Sequence, residues 1–159
     1  MNKLVASYIA GFFDGDGSVR LQLQPRQNPK LGFRVRTIIS FAQKTGHDES
    51  LRWIKEKLGI GYIYNRNDSM TELKIEGFES VEKILIFLKP YVHFKKKQVY
   101  LVLKALKVLK KNPNDILALA KISDGISEVN YVTTKKRYTA EFVKNSLNRY
   151  TPVTTDPIT

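Results

Sequence analysis

The pattern of apolar and polar positions changes character several times along the chain. Residues 3–13 are almost all apolar or small and contain no proline, and the run stops at Asp14-Gly15-Asp16-Gly17, which predicts a short helix halted by glycines. A period of two follows. Val19, Leu21 and Leu23 alternate with Arg20, Gln22 and Gln24, while Phe33, Val35 and Thr37 alternate with Arg34 and Arg36 before an apolar stretch through Phe41. These are two half-buried strands. Pro25, Pro29 and Gly32 mark the segment between them as a long hairpin connection.

Asp48 stands at the N-cap position of a helix carrying Leu51, Ile54 and Leu58, and Gly59 sits where that helix should end. Residues 61–66 and 71–75 form a second strand pair joined through Asn67-Asp68-Ser69, with Tyr62, Tyr64 and Arg66 on one face. Val81, Ile84, Leu85 and Leu88 define a third helix closed by Pro90, and residues 95–111 a longer one broken by Asn112-Pro113-Asn114. Helical spacing resumes over 115–122 and returns over 139–147, introduced by Thr139. The order predicts an α+β fold with a largely antiparallel four-stranded sheet and its helices on one face. Residues 1–150 are expected to form a single domain, and 151–159, with Pro152 and Pro157, a disordered tail.

The sheet's other face must then look outward. By alternation it projects Arg20, Gln22, Gln24, Arg34, Arg36, Tyr62, Tyr64, Arg66, Glu72 and Lys74, with Arg26 and Ser40 counted alongside them. Arginine pairs with guanine and glutamine with adenine in a major groove, although a merely solvated sheet face gives the same alternation. The formal net charge of +12 favours a polyanionic partner, either nucleic acid or an anionic membrane surface.

With no cysteine and two histidines, His47 and His93, the chain has no disulfide framework and no thiolate zinc site, so oxygen ligands and magnesium or calcium are the natural choice for any metal. The apolar runs 84–88 and 99–103 are far shorter than the roughly 20 residues that span a bilayer. No secretory signal opens the sequence. A soluble, intracellular protein without a membrane partner is expected.

In the first helix, Ser7 and Gly11 lie four apart with Ala6 and Ala10 beside them, small enough for a second helix to approach closely. Packing against the domain's own helices explains them equally well. Asp14 and Asp16 stand at that helix's carboxyl end, where the helix dipole disfavours acids. A divalent cation bound to Asp16 would compensate, while a simple Asp-Gly turn is the plainer alternative. A calcium-loop reading fails, because Val19 and Pro25 occupy the glycine and glutamate positions it requires.

The segment Tyr8-Ile9-Ala10-Gly11-Phe12-Phe13-Asp14-Gly15-Asp16-Gly17-Ser18 resembles the signature of the LAGLIDADG homing endonucleases and occurs once. Phe41-Ala42-Gln43-Lys44-Thr45, Gly59-Ile60-Gly61-Tyr62, Lys95-Lys96-Lys97-Gln98 and the strand order extend the resemblance over most of the chain. It implies a homodimer whose signature helices pack across the two-fold axis through Ser7, Ala10 and Gly11. Each saddle-shaped sheet would read double-stranded DNA in the major groove of one half-site.

The resemblance further implies Asp16 as the principal metal carboxylate, the Gly15 carbonyl facing the metal, Gln43 organising water and Lys95 beside the scissile phosphate. Asp14 would serve the turn. His47 falls where some relatives carry arginine and departs from that pattern. Thr134, Lys135 and Lys136, within the basic stretch ending at Arg137-Tyr138, resemble a loop that grips phosphates. The implied reaction is Mg2+-dependent cleavage of both strands of a long, roughly palindromic site, leaving short 3′ overhangs, with Ca2+ supporting binding but poor cleavage and Mn2+ an alternative. The setting would be the cytoplasm or nucleoid of a prokaryote, or an organelle. An intron maturase that binds RNA and a non-catalytic DNA-binding regulator are the competing readings.

Overall fold

The computed structural model describes residues 2–27, 32–130 and 137–150. Helix α1 (Lys3–Asp16) opens on Asn2, whose side-chain oxygen accepts the Leu4 N–H at 3.0 Å. It runs through the glycines that were expected to stop it at Phe13. Gly17 is extended, with φ −87° and ψ 159°, and strand β1 (Gly17–Pro25) starts there with no intervening loop. A Cβ on Gly17 would lie 2.5 Å from Phe13 Cδ2 and 2.7 Å from the Phe13 carbonyl oxygen. Glycine is therefore needed here for close approach and not for a turn.

β1 pairs with β2 (Phe33–Lys44), and β2 with β4 (Met70–Glu76), which carries β3 (Tyr62–Asn65) on its far side. The order is β1-β2-β4-β3 and every pairing is antiparallel. The connection between β1 and β2 is closed by the Arg26 N–H on the Gly32 carbonyl at 2.9 Å. Register sets the two faces. Val19 opposes Ile39 and Leu21 opposes Thr37 on the inner face, while Arg20 opposes Ile38 and Gln22 opposes Arg36 on the outer one.

The inner face packs on α1 and on helices α2 (Glu49–Leu58), α3 (Phe78–Leu88), α4 (Lys96–Lys111) and α5 (Ile116–Val129). Phe13, Phe41, Leu73, Ile75, Leu85 and Leu106 are at most 1% exposed in this core, each contributing about 1.5–3 kcal/mol by leaving water. α2 ends as predicted on Gly59, left-handed at φ 65°. Asp48 supports α2 by pairing with Arg52 at 2.9 Å, one turn on, and makes no side-chain cap.

Helix α5 extends seven residues past the predicted limit at 122. Ser123, Asp124 and Gly125 look like a stop, yet each polar side chain has a tertiary partner. Ser123 Oγ donates to the Leu21 carbonyl at 2.7 Å, and Asp124 accepts the Ala140 N–H at 2.7 Å at the start of helix α6 (Ala140–Tyr150). Thr139 caps α6 as expected, its Oγ1 accepting the Phe142 N–H at 3.2 Å. A smaller cluster of Leu23, Phe33, Ala120 and Val143 docks α6 against the hairpin. No helix among the described residues is long and apolar enough to cross a membrane. The expected tail, 151–159, lies outside the described residues.

Candidate active site and nucleic-acid face

The carboxyl end of α1 gathers the chemistry. Asp16 is exposed, and its Oδ2 accepts a hydrogen bond from Gln43 Nε2 at 2.7 Å. Gln43 stands near the end of β2 and the bond spans 27 residues of sequence. Asp14 points the other way, accepting the backbone N–H groups of His93 at 2.6 Å and Lys95 at 3.0 Å. That carboxylate thus fixes the segment entering α4 and is committed to structure, a stronger role than the turn expected for it.

Lys95 Nζ donates to the carbonyl of Asp14 and, at 3.3 Å, to that of Gly15. The ammonium therefore meets the negative end of the α1 dipole, supplying part of the compensation that the two aspartates require. Burial pushes the Lys95 ammonium below its ordinary pKa, and the charges of Asp14 and Asp16 oppose that shift.

The oxygen donors suit a hard divalent cation. Asp16 and Gly15 are both exposed, one offering a carboxylate and the other a carbonyl. Among the described residues no three His, Asp or Glu side chains converge on a common point. One chain therefore supplies a partial donor set that fits such an ion only when other ligands complete it.

On the outer face of the sheet, register brings together Gln24 with Arg34, Gln22 with Arg36, and Lys74 with both Ser40 and Tyr62. All the strand residues predicted for this face lie on it. Their side chains are less available than alternation suggested. Arg36 pairs with Glu76 at 2.7 Å, and Arg66 with Glu72 at 2.8 Å and with Asp68. Lys74 reaches Glu72 at 3.2 Å and lies 4.0 Å above the Tyr64 ring. Glu72 is only 5% exposed. Burial raises its pKa, but the bonds from Arg66 and Lys74 outweigh burial and hold it below the usual glutamate value.

Ser40 is 4% exposed and shares hydrogen bonds with Ser18, at 2.9 Å, and with Arg20 Nη2, at 3.2 Å. Glu76, Ser18 and Ile38 also belong to this face and were missed. Following the period of two backward from Gln22 and onward from Arg36 would have found Ser18 and Ile38. Arg26 is exposed at the rim. A groove of about 740 Å3 follows the outer edge of β1, from Asp14 and Lys95 to Gln24, Arg137 and Tyr138.

Ser7 and Gly11 lie on the open side of α1 with Leu4 and Tyr8, which are 76% and 62% exposed. Ala10 does not join them. It is completely buried in the chain's own core, because it falls on the same side of the helix as Ala6 and Phe13. Phe94, unpredicted, is 85% exposed just before Lys95. His47 is exposed, its backbone N–H bonded to the Lys44 carbonyl. Thr134, Lys135 and Lys136 lie outside the described residues.

A helix that ends in paired aspartates thus leads directly into a strand of a polar-faced antiparallel sheet. The chain belongs to the LAGLIDADG endonuclease family, whose model matches residues 9–109. It is 31% identical to DNA endonuclease I-CreI from Chlamydomonas reinhardtii over 150 residues, 92% of this chain and 91% of that one. It is 32% identical to DNA endonuclease I-CvuI from Chlorella vulgaris over 152 residues, covering 93% and 92% of the two chains. The crystal structure of I-CvuI with the I-CreI target in 2 mM Mg, in which the DNA is not cleaved, superposes with a TM-score of 0.84 over 93% of this chain and 95% of that one, at 32% identity. A crystal structure of I-CvuI with its own target and 2 mM Ca gives a TM-score of 0.85 at 31% identity, covering 92% and 94%.

Proposed function

We propose that two copies of this chain form a divalent-metal-dependent homing endonuclease that makes a double-strand break in a long, roughly palindromic DNA site. The observation that carries this reading is the position of Asp16. It is exposed at the end of a helix whose open side is lined by Leu4, Ser7, Tyr8 and Gly11, so packing that side against its copy brings two Asp16 carboxylates near one axis. The relatives are named DNA endonucleases, and the I-CvuI structures contain DNA targets with Mg or Ca.

Asp16 and the Gly15 carbonyl would hold part of the ion's ligand shell, with the second protomer, phosphate oxygens and water completing it. When bound, Mg2+ supplies Lewis acidity to phosphate oxygens and lowers the pKa of water. Gln43 fixes the orientation of the Asp16 carboxylate. Lys95 places a cation beside the same point, where negative charge grows on the phosphoryl oxygens during in-line displacement by water. No protein nucleophile is required. The two cuts leave short 3′ overhangs.

Base reading falls to Arg20, Gln22, Gln24, Arg34 and Arg36 on one strand pair, and to Tyr62, Tyr64, Arg66 and Lys74 on the other. Strands rise about 3.3 Å per residue, close to the roughly 3.4 Å rise of a DNA strand, so each ribbon keeps step with successive base pairs. Glu72 and Ser40 act beneath them as supports.

The test is selection of cleaved sites from a randomised duplex library in Mg2+, with Asp16→Asn in parallel. Wild type should return a nearly two-fold symmetric site, and the variant should bind that site without cutting it. Cleavage by Asp16→Asn at the wild-type rate would refute the role of Asp16.

A further inference from the structure

The side of α1 that stays open in one chain has two unlike flanks. Turning about 100° per residue, Leu4, Ser7, Tyr8 and Gly11 centre on one line along the helix, with Asp14 about 70° to one side of it and Val5 about 110° to the other. On the first flank the Asp14 carboxylate ties down the backbone of His93 and Lys95. Phe94, between them, is 85% exposed and belongs to neither apolar cluster. On the second flank Leu4, Val5 and Tyr8 face Glu49, Ser50 and Trp53 of α2 across an open cavity of about 550 Å3. There the Tyr8 and Trp53 rings meet edge to face with centroids 5.4 Å apart.

We propose that Phe94 of one copy fills this cavity in a second copy of the chain, and the reverse, so that a dimer closes on two such rings. The inference rests on the pairing of two copies through α1 and adds which side chains meet. A two-fold axis running along α1 sets opposite flanks against each other, because each copy faces the other turned about. The Phe94 flank of one copy therefore meets the cavity flank of the other, twice over. The two also agree in level. Gln43 of β2 bonds Asp16 at the carboxyl end of α1, and α2 begins shortly after β2. Glu49 and Ser50 thus form the end of the cavity nearer Asp16, the end at which Asp14 holds the Phe94 segment.

Chemistry matches place. The cavity wall is mostly apolar or aromatic, and Ser50 is small enough to leave room for a ring. Its one charged group, Glu49, is exposed and acidic. Phe94 is followed by Lys95, Lys96 and Lys97, so the ring arrives with positive charge beside that rim. DNA is the poorer occupant, since the cavity has an acidic edge and is walled by α1 and α2, which pack on the inner face of the sheet.

Trp53 is the single tryptophan of the chain and lines the cavity, so its fluorescence reports filling without a label. The experiment combines sedimentation velocity on the full chain with acrylamide quenching of Trp53 above and below the dimer dissociation constant. Wild type should shield Trp53 as it dimerises. Phe94→Ala removes an exposed side chain and should fold as wild type by circular dichroism. It should raise the dimer dissociation constant roughly 100-fold, the loss of two anchoring rings, and leave Trp53 open to acrylamide even where it is fully dimeric. Ser50→Leu fills part of the cavity and should also weaken the dimer. The two substitutions in one chain should dimerise more tightly than either alone, because the leucine occupies space the ring has left.

A Phe94→Ala dimer as tight as wild type, with Trp53 equally shielded, would overturn the proposal while leaving the pairing through α1 intact. Additive losses in the double variant would overturn it as well. So would shielding of Trp53 in the monomer, or only after duplex DNA is added, since the occupant would then be the chain's own segments or DNA. A wild type that stays monomeric at every concentration, with and without DNA, would instead refute the pairing of two copies and this inference with it. No readout involves cleavage.

Discussion

Replacing Glu72 by glutamine removes one negative charge from beneath the outer sheet face while keeping the side chain's size. Glu72 is 5% exposed and holds Arg66 at 2.8 Å and Lys74 at 3.2 Å. Charge-assisted bonds between buried partners contribute about 1.5–3 kcal/mol each. Here both cations reach water, where exposed pairs fall to about 0.2–1 kcal/mol. Removing the two bonds together should therefore cost about 1–2 kcal/mol of folding stability, read by urea denaturation.

The pH dependence has a definite sign. The folded carboxyl lies below its ordinary value of 4.5, so the unfolded chain takes up its proton first as pH falls. The stabilisation is complete above that ordinary value and disappears as pH drops through the folded one. The gap between wild type and Glu72→Gln should accordingly be widest near neutral pH and close in acid. On DNA, the released Arg66 and Lys74 can reach phosphates, steepening the salt dependence by up to about 0.9 per new phosphate engaged. Discrimination between bases at those positions should fall by about 1–3 kcal/mol for each bidentate pairing with a base that is broken. Anisotropy titrations with matched and randomised duplexes read both effects. A variant with wild-type stability at neutral pH, an unchanged salt slope and unchanged discrimination would refute the reasoning.

Three further changes probe other joints of the structure. Asp14→Asn replaces a carboxylate that receives two backbone N–H groups and should cost about 1.5–3 kcal/mol in urea denaturation; a change under about 0.5 kcal/mol would show that the clamp contributes nothing. Gly17→Ala forces a Cβ against the Phe13 backbone and should lower stability by about 1–3 kcal/mol or prevent folding, whereas an unaltered melting temperature would contradict the close approach. A Cβ at Gly11 meets nothing within 4 Å inside one chain, so Gly11→Leu should leave the protomer folded by circular dichroism and loosen the dimer in sedimentation velocity. A dimer as tight as wild type would move the interface off α1.

The sheet was legible because alternation is a local property that survives folding. Every strand residue assigned to the outer face from Arg20 to Lys74 projects there, and Gly59 and Thr139 end and begin their helices as their chemistry dictates. Three failures share a cause. Glycines 15 and 17 look like a turn until Phe13 is seen pressed against Gly17, and Ser123 to Gly125 look like a helix stop until Leu21 and Ala140 supply partners. Ala10 looks like an interface residue until the core closes over it. In each case a neighbour distant in sequence decides a local question. The Glu72 and Glu76 pairs were hidden likewise, since a period of two names a face but does not say which neighbours on it bond.

The unbroken passage from α1 into β1 has a further meaning. The carboxylate at residue 16 and the side chains proposed to read bases, from 20 to 24, belong to one stiff stretch of main chain, about 26 Å from Asp16 to Gln24 at roughly 3.3 Å per residue. On the proposed function, distance along the DNA from the cut to the last base read is thereby written in covalent geometry, like the graduations of a ruler whose zero is the Asp16 carboxylate. Substitution at Arg20, Gln22 or Gln24 can alter which letters are preferred. Inserting a single residue between them would turn every later side chain to the opposite face. Descendants of this protein can therefore change the spelling of their target far more readily than its length.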